Sequence, residues 1–476
     1  MPPVAYSDFL QRVRRHRPSD LLPALAVTAV EFFEPDAWNT DRVRLPWALA
    51  GAAKASIVSG NEYRNRGVSD RDVFDICKAY NALGTPLTRH GDNVSETVGA
   101  FLVRLGYEQF TYQQSHSEEV GRLGAMFDHL EAINTEILNN ALIEQILGCS
   151  LQEFVSAGLV IAIGARSNAG FFNPEWPSLW EGPGAVHTHF SMEIVRQVFV
   201  EHFLATFDDI RKVAKNCQQS DPRLRHYEFN PLVSRPFVTL PDGRHLAPQP
   251  HFVFQRLSPS VLYYAGLKAL GDKDAKAFTR DVGVVFQEYI GRQLRLMPGA
   301  TVLPEITYGG AQRSVDWFVI FDELVVLVEV KSTRLSHLAR MGGNKLQDDF
   351  KRSVGKGYSQ VTKTDELLTE GHEAFRDIPR DRPRMAIVAT LEPYWAANSA
   401  FLKTLHTEPP IATIVASARA IEQLVDVVSQ IGTPRPLIDI ANDDERHTWN
   451  LETALPNIST PENPILANAW NRYPFH

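Results

Sequence analysis

Two carboxylates and a lysine lie inside apolar, strand-like runs between residues 315 and 333. Asp316 stands in the run VDWFVIF, and Glu329 and Lys331 stand in the run LVVLVEVKS. A strand that is buried on both faces normally carries no charged side chain, because an unpaired buried carboxylate is costly in free energy. The types and positions of these residues therefore indicate a chemical site within the predicted strands.

A hairpin would bring the three side chains to one face of a sheet. The dipeptide at 322–323 is the only polar break between the two runs, so they are predicted to pair as antiparallel neighbours. A turn there pairs Phe321 with Leu324. The same register sets Asp316 directly opposite Glu329, whereas a three-residue loop would break it. The lysine, two residues further along the strand, shares their face.

Two neighbouring carboxylates repel each other, and a divalent cation between them would remove both the repulsion and the cost of burial. Oxygen ligands favour Mg²⁺, with Mn²⁺ expected to substitute, and water and phosphate oxygens would complete the coordination shell. Lys331 could orient or help deprotonate the attacking water, or neutralise charge that develops on the phosphate. The predicted reaction is metal-assisted hydrolysis of a phosphodiester bond.

The pattern resembles the core of the PD-(D/E)XK nuclease superfamily, which includes many restriction endonucleases, resolvases and repair nucleases. Asp316 is followed, after a gap of 12 residues, by Glu329-Val330-Lys331 on an apolar strand. Members usually carry a glutamate on the helix before the strands, and VVFQEYIGRQL supplies Glu288. Many place a glutamine on the helix that follows, and GYSQVTKT supplies Gln360.

The resemblance implies roles for these residues and a fold for about a third of the chain, roughly 275–420. It implies that Glu288 supports the metal or its water, beside the metal ligands Asp316 and Glu329. It implies that Gln360 steadies the lysine or the substrate. One departure from the family pattern is Val315, which stands where many members have a proline.

Other interpretations of the same residues stay open. An E-x-K that ends a strand is commonly a surface salt bridge, although the run 324–328 is apolar on both faces and so favours a central strand. A catalytically inactive nuclease fold that binds nucleic acid, or serves in assembly, is the alternative from another functional class. Cleavage of RNA is a third interpretation, which the same site could perform.

The segment after the predicted site is basic in a chain whose formal net charge is −8. Between residues 331 and 363 there are eight lysines and arginines and two aspartates, a net charge of +6. Such a segment beside a carboxylate site suits a polyanion, and DNA is the predicted partner. Apart from Lys331, the candidate phosphate contacts are Arg334, Arg340, Lys345, Lys351, Arg352, Lys356 and Lys363.

The elements that must position this site follow an α/β order. A helix is predicted at 275–297, followed by three strand-like runs, a long polar helix at about 347–370, and strands at 384–390 and 411–417. The expected fold is therefore a restriction-endonuclease-like α/β domain at 272–432, with a mixed central sheet flanked by helices. A hairpin-containing connector at 219–271 precedes it, and an extended tail at 433–476 follows.

Residues 1–218 show helical spacing and are predicted to form a mainly α-helical region. Ser69 is the expected N-cap of one helix, and 118–147 and 191–217 are each expected to form a helix. This region could sense a trigger, bind a protein partner or form a homodimer. Neither a P-loop nor a G-x-G-x-x-G motif occurs, which argues against ATP-driven translocation.

The bulk composition agrees with a soluble protein. The chain has 476 residues, of which 44% are hydrophobic and 22% are charged, and its three cysteines show no C-x-x-C pattern. No signal sequence or membrane-spanning run is expected, and the predicted location is the cytoplasm. By analogy with bacterial proteins that join a helical region to such a nuclease, the resemblance implies restriction or antiphage defence.

Overall fold

The computed structural model describes residues 3–34, 36–84, 94–113, 115–127, 129–179, 191–219, 221–342, 344–403 and 406–473 of the chain. The protein is mixed α/β, and its first part is mainly helical. In that part the helices are α1 Tyr6–Val13, α2 Pro18–Glu31, α3 Ala37–Thr40, α4 Pro46–Ser59, α5 Asp70–Asn81, α6 Val94–Gln109, α7 His116–Phe127, α8 Asn140–Leu147, α9 Leu151–Ser167, α10 Met192–Val198 and α11 Phe207–Asn216.

The remaining helices are α12 His251–Gln255, α13 Pro259–Ala269, α14 Asp272–Leu294, α15 His337–Arg340, α16 Asn344–Phe350, α17 Lys356–Glu370, α18 Ala400–Lys403, α19 Ala418–Ile431, α20 Arg435–Ala441, α21 Leu451–Ala454 and α22 Pro464–Trp470. The strands are β1 Phe171–Phe172, β2 Leu204–Ala205, β3 Phe237–Thr239, β4 His245–Leu246, β5 Thr301–Pro304, β6 Thr307–Tyr308, β7 Gln312–Arg313, β8 Trp317–Ile320, β9 Val325–Lys331, β10 Arg384–Thr390 and β11 Thr413–Ser417.

The predicted helix cap at Ser69 is confirmed. Its hydroxyl accepts a hydrogen bond from the backbone N–H of Asp72, whose carboxylate accepts the N–H of Ser69 in return. This reciprocal capping box satisfies donors at the helix start that have no intrahelical partner. Local sequence therefore determines where α5 begins.

The prediction of one continuous helix over 118–147 is wrong. Helix α7 ends at Phe127 and α8 begins at Asn140, whose predecessor Asn139 caps it. Between them, the carboxylate of Asp281 on α14 accepts three backbone N–H groups, from residues 136–138, at 2.7–2.9 Å. A buried residue from a distant helix thus holds the break open, and no local pattern reveals it.

The prediction of a continuous helix over 191–217 is also wrong. Helix α10 passes into a π-helical turn, Phe199–Phe203, and then into strand β2, which pairs in parallel with β3. Thr206 caps α11 with a second capping box. The predicted hairpin of the connector is confirmed, because β3 and β4 pair antiparallel around Gly243, whose φ is +86°.

Among the described residues, a mixed five-stranded sheet forms the centre of the second part, in the order β11-β10-β9-β8-β5. Strands β9, β10 and β11 are parallel, and β8 runs antiparallel to both β9 and β5. Strand β9 is central and buried over Val325–Glu329. The strand is therefore covered on both faces, which explains why its residues are almost all apolar.

Alternate residues of β8 and β9 face two different helical layers. Trp317 and Val328 belong to the hydrophobic core that includes α14, and the Trp317 indole N–H donates to the backbone oxygen of Gln287 at 3.0 Å. Phe318 and Leu327 belong to the core that includes α17. By the two-residue period of a strand, Asp316 and Glu329 face the α17 layer.

The hydrophobic cores cross the predicted domain boundary near residue 218. One core joins α1–α5 to residues 205–252, and another joins α7–α10 to the central sheet and α14. The tail, predicted to be extended, contains α20–α22, and α22 packs against α7. The helical part and the sheet therefore share a core.

One apolar stretch meets the length and hydropathy of a membrane span, contrary to expectation. It is Asn140–Ser167, and 61% of its most apolar 18-residue window is buried inside the protein. It comprises α8 and α9, separated at Gly148 by a left-handed residue with φ +77°. Its burial is typical of a core segment in a soluble protein.

Candidate active site

The predicted hairpin register is confirmed. Trp317 pairs with Val328 and Ile320 pairs with Val325, and the N–H of Phe321 donates to the oxygen of Leu324 at 2.9 Å across the turn. Hydrogen-bonded and non-hydrogen-bonded pairs alternate along such a ladder. Continuing the register by one residue sets 316 opposite 329 as a non-hydrogen-bonded pair, the type in which side chains come closest.

Asp316 lies one residue before β8, and its carboxylate takes the place of a backbone oxygen as the last hydrogen-bond acceptor of the β8–β9 ladder. Its Oδ2 accepts the backbone N–H of Val330 at 2.6 Å. That N–H would otherwise face the backbone oxygen of Val315. The carboxylate is therefore anchored to β9 beside Glu329, and its second oxygen has no partner among the described residues.

Helix α17 holds the segment that carries Asp316. The side-chain amide of Gln360 donates to the backbone oxygens of Arg313 and Ser314, the latter at 2.8 Å. The hydroxyl of Thr364, one turn along, accepts the N–H of Val315 at 3.1 Å. Gln360 thus holds the strand entrance, and its predicted role of steadying the lysine or the substrate stays a prediction. Thr364 was missed, because its role depends on packing against a distant segment.

Lys331 and Glu329 form an ion pair on the face of β9 shared with Asp316. The pKa of Glu329 is raised to about 8, first by burial and then by the negative charge of Asp316, while Lys331 opposes the rise. Burial likewise raises the pKa of Asp316 to about 6, against the hydrogen bond from Val330. Both carboxyl groups are thus destabilised as anions, as expected for a buried like-charged pair.

Glu305 is a further carboxylate at this site that sequence reasoning missed. Pro304 pairs with Trp317 in the β5–β8 ladder, so continuing that register sets Glu305 opposite Asp316. Its charge raises the pKa of both Asp316 and Glu329. The signal was present, because Glu305 is a carboxylate inside the strand-like run ATVLPEITY. It pairs with Arg313 at 3.3 Å.

Glu288 lies on α14, which packs against the opposite face of the sheet. Among the described residues it makes no hydrogen bond or ion pair. Nor does any group of three or more histidine, cysteine, aspartate or glutamate residues in the described part of the chain have a metal-binding arrangement. The structure therefore brings Asp316, Glu329 and Lys331 together, and the predicted role of Glu288 in supporting the metal stays a prediction.

Two of the predicted phosphate contacts are engaged inside the protein. Arg340 pairs with Glu392 at 2.6 Å, and Arg334 is buried, with its Nε 3.4 Å from the same carboxylate. The guanidinium of Arg334 also lies over the rings of Tyr263 and Tyr264. These arginines are consequently unsuited to binding DNA in this arrangement.

The remaining predicted contacts are exposed. Lys345, Arg352 and Lys363 pair with nearby acidic residues, whereas Lys351 and Lys356 have no ion-pair partner among the described residues. Lys356 and Lys363 lie four before and three after Gln360 on α17, so all these side chains share a helix face. That face borders the acidic site.

Helix α17 approaches the site closely because of Gly357. A Cβ at this position would lie 2.9 Å from Val388 and 3.6 Å from Cγ of Glu329. The absent side chain thus lets the helix pack directly onto the strand that carries Glu329.

Comparison with known proteins identifies no relative: no family model and no curated protein sequence matches this chain.

Proposed function

We propose that the protein is a metal-dependent endonuclease that hydrolyses phosphodiester bonds in DNA. The observation that carries this proposal is the buried pair Asp316 and Glu329, with Lys331 on the same face at a strand end. Oxygen donors that are buried and repel each other suit a hard divalent cation, Mg²⁺ or Mn²⁺. The pair therefore fits such an ion, which Glu305 could also approach.

Each residue of the site has its own role in the proposed reaction. Asp316 and Glu329 would hold the ion, and the hydrogen bond from Val330 fixes the orientation of the first carboxylate. The ion, when bound, would supply Lewis-acid activation of water and phosphate. The ammonium of Lys331 would neutralise charge on the phosphate or orient the attacking water. Gln360 keeps the segment before Asp316 against α17 and so acts as a positioning residue.

We further infer a restriction-endonuclease-like fold for the second part of the chain. Its support is the order of α14, the antiparallel β5, β8 and β9, helix α17, and the parallel β10 and β11. A function in bacterial restriction or antiphage defence, in the cytoplasm, is the biological setting that the resemblance favours. Lys356 and Lys363 are the proposed phosphate contacts beside the site, and Lys351 extends this basic surface.

The first test is a cleavage assay with supercoiled and linear DNA in Mg²⁺, Mn²⁺ or EDTA. Wild type should nick or linearise the plasmid only with metal, and Asp316→Ala and Lys331→Ala should each abolish cleavage. Asp322→Ala is the matched control, because this aspartate lies in the turn of the same hairpin and is almost fully exposed. Cleavage that survives in Asp316→Ala would refute the assigned centre. The same assay with RNA of the same sequence shows whether the substrate is DNA or RNA.

A calorimetric Mn²⁺ titration separates the enzyme from an inactive nuclease-fold scaffold. Binding to wild type that is lost in Asp316→Ala supports the metal centre even where a missing trigger prevents cleavage. No binding by wild type would favour the scaffold, whose role would be nucleic-acid binding or assembly. Sedimentation of the same samples would show whether the chain forms a homodimer.

A further inference from the structure

A cavity of about 560 Å³ lies away from the acidic pair, between the helical part and the elements around the sheet. Its walls come from α4, α6 and α7, from residues 226–234, from α12 and α13, and from the α15 and 391–395 segments. This volume falls within the range of about 300–1,000 Å³ typical of small-molecule sites. The cavity is therefore large enough for a drug-sized or cofactor-sized ligand.

Aromatic rings make up much of the cavity wall. They include the rings of Trp47, Tyr107, Tyr227, Phe229, Tyr264 and Trp395. Tyr264 is 40% exposed although it lies on the inner helix α13, which is consistent with a ring that faces open space. Rings of this kind bind flat ligands by stacking, as they bind the bases of single-stranded nucleic acids. The wall thus favours a ligand that contains a planar ring.

The cavity also holds positive charge that the protein does not compensate. Arg104 is buried, its Nε donates to the backbone oxygen of Ala100 at 3.1 Å, and its guanidinium lies over the Tyr227 ring, so only its ionic charge is left without a partner. Arg256 has a buried Nε without a hydrogen-bond partner, and neither arginine forms an ion pair among the described residues. Lys268, which is exposed, likewise has no ion-pair partner there. Burying a cation without a partner is costly, so an arrangement of this kind calls for an anion.

The other charged groups of the wall are largely neutralised. Lys54 pairs with Glu228 at 3.4 Å, and Arg340 pairs with Glu392 at 2.6 Å. Arg122 pairs with Glu422 at 2.6 Å and also with Glu119. The carboxyl of Glu108 accepts a hydrogen bond from Tyr80, and burial raises its pKa to about 7. The balance that remains for a ligand is positive.

We propose that this cavity binds a nucleotide, whose base stacks on the aromatic wall and whose phosphate takes the uncompensated charge of Arg104, Arg256 and Lys268. A nucleotide combines the planar ring and the anion that the two sets of side chains require. The cavity would then be a ligand site separate from the proposed nuclease centre. Its existence does not depend on cleavage activity.

The cavity lies against the segment that follows Lys331, so a bound ligand could act on the strand that carries the acidic pair. Glu392, on the wall, binds Arg340 and accepts the hydroxyl hydrogen of Ser260 at 2.5 Å. The hydroxyl of Tyr394, in the same loop, donates to the backbone oxygen of Thr333 at 2.6 Å. A nucleotide that orders this loop would therefore restrain the end of β9. This consequence, control of the active site, rests on the proposed function.

Calorimetric titration of the full chain tests the site directly. The probes are the four ribonucleoside 5′-monophosphates, their triphosphates, the four nucleosides and inorganic phosphate. At least one nucleotide should bind at least tenfold more tightly than its parent nucleoside and than phosphate, because ring and charge contribute together. The proposal is overturned if no nucleotide binds, or if the nucleoside binds as tightly as the nucleotide.

Three variants locate the binding. Arg256→Gln should weaken nucleotide binding about tenfold or more, since a hydrogen bond to a charged group is worth about 1.5–3 kcal/mol. It should also raise the melting temperature of the ligand-free protein, because an unpaired buried charge is removed; a purely structural arginine would show the reverse. Lys268→Ala should weaken binding severalfold, and Lys273→Ala, an exposed lysine outside the wall, should leave it unchanged.

Hydrogen exchange with and without the bound nucleotide tests the link to the strand end. In wild type, the nucleotide should slow exchange in residues 333–340 and 391–395. In Arg256→Gln, the same nucleotide concentration should slow exchange in neither segment. Protection confined to α4 and α6 would contradict the link while leaving the binding site in place. A protein that binds a nucleotide but neither binds Mn²⁺ nor cleaves nucleic acid would refute the nuclease and not the cavity site.

Discussion

Glu108 provides a quantitative test of the electrostatics inside the cavity. Burial raises its pKa from 4.5 to about 7, while hydrogen bonds from Tyr80 and Gln109 lower it. The folded protein therefore holds this proton to a higher pH than the unfolded chain does. Below pH 4.5 the carboxyl is protonated in both states and has no effect on stability. Between pH 4.5 and 7 the free energy of unfolding falls, and above pH 7 the loss is complete.

The full loss for such a rise is about 3 kcal/mol, at 1.36 kcal/mol for each pH unit. Because one side of the carboxyl borders the cavity, where solvent screens the charge, about 2 kcal/mol is the expected value. Glu108→Gln keeps an oxygen for the Tyr80 hydroxyl but removes the ionisation. The variant should match wild type at pH 4.5 and exceed its free energy of unfolding by about 2 kcal/mol at pH 8.

Denaturant unfolding at pH 4.5, 6 and 8 measures this difference directly. Glu144→Gln, an exposed glutamate on α8, is the control and should follow wild type at every pH. The reasoning is refuted if wild type and Glu108→Gln show parallel pH profiles. It is also refuted if the variant is less stable than wild type at pH 8, since the carboxylate would then be favourably solvated or paired.

Three further changes test the packing around the site and the shared core. Gln360→Ala should lower the free energy of unfolding by about 1–2 kcal/mol and slow cleavage, because the segment before the first carboxylate loses its anchors; plasmid nicking and denaturant melts measure both. Gly357→Ala should destabilise by about 1 kcal/mol in the same melts, since the clash with Val388 outweighs the better helix propensity of alanine; a gain would contradict the close approach. Arg122→Met should cost about 3–5 kcal/mol by leaving Glu422 buried without a cation, and adding Glu422→Leu should recover part of that loss, since the Tyr289 hydroxyl then loses its acceptor.

The sequence alone determined the hairpin and the acidic pair. Alternation of apolar residues, a short polar turn and a carboxylate in each run are local signals, and a two-residue period leaves one register that places both carboxylates together. The same holds for the cap at Ser69 and for the boundaries of β10, whereas α14 begins and ends three residues before the predicted helix 275–297. Glu305 was accessible by the same criterion and was overlooked.

Tertiary structure alone decided which charged residues are available and where the helices break. Arg334 and Arg340 look like DNA contacts in the sequence, but Glu392, more than 50 residues away, takes both. Asp281 interrupts a helical pattern from 143–145 residues away by accepting backbone N–H groups. Such partners are close in space and distant in the chain, so no local period encodes them. The cavity, whose wall includes Arg340 and Glu392, is equally invisible in the sequence.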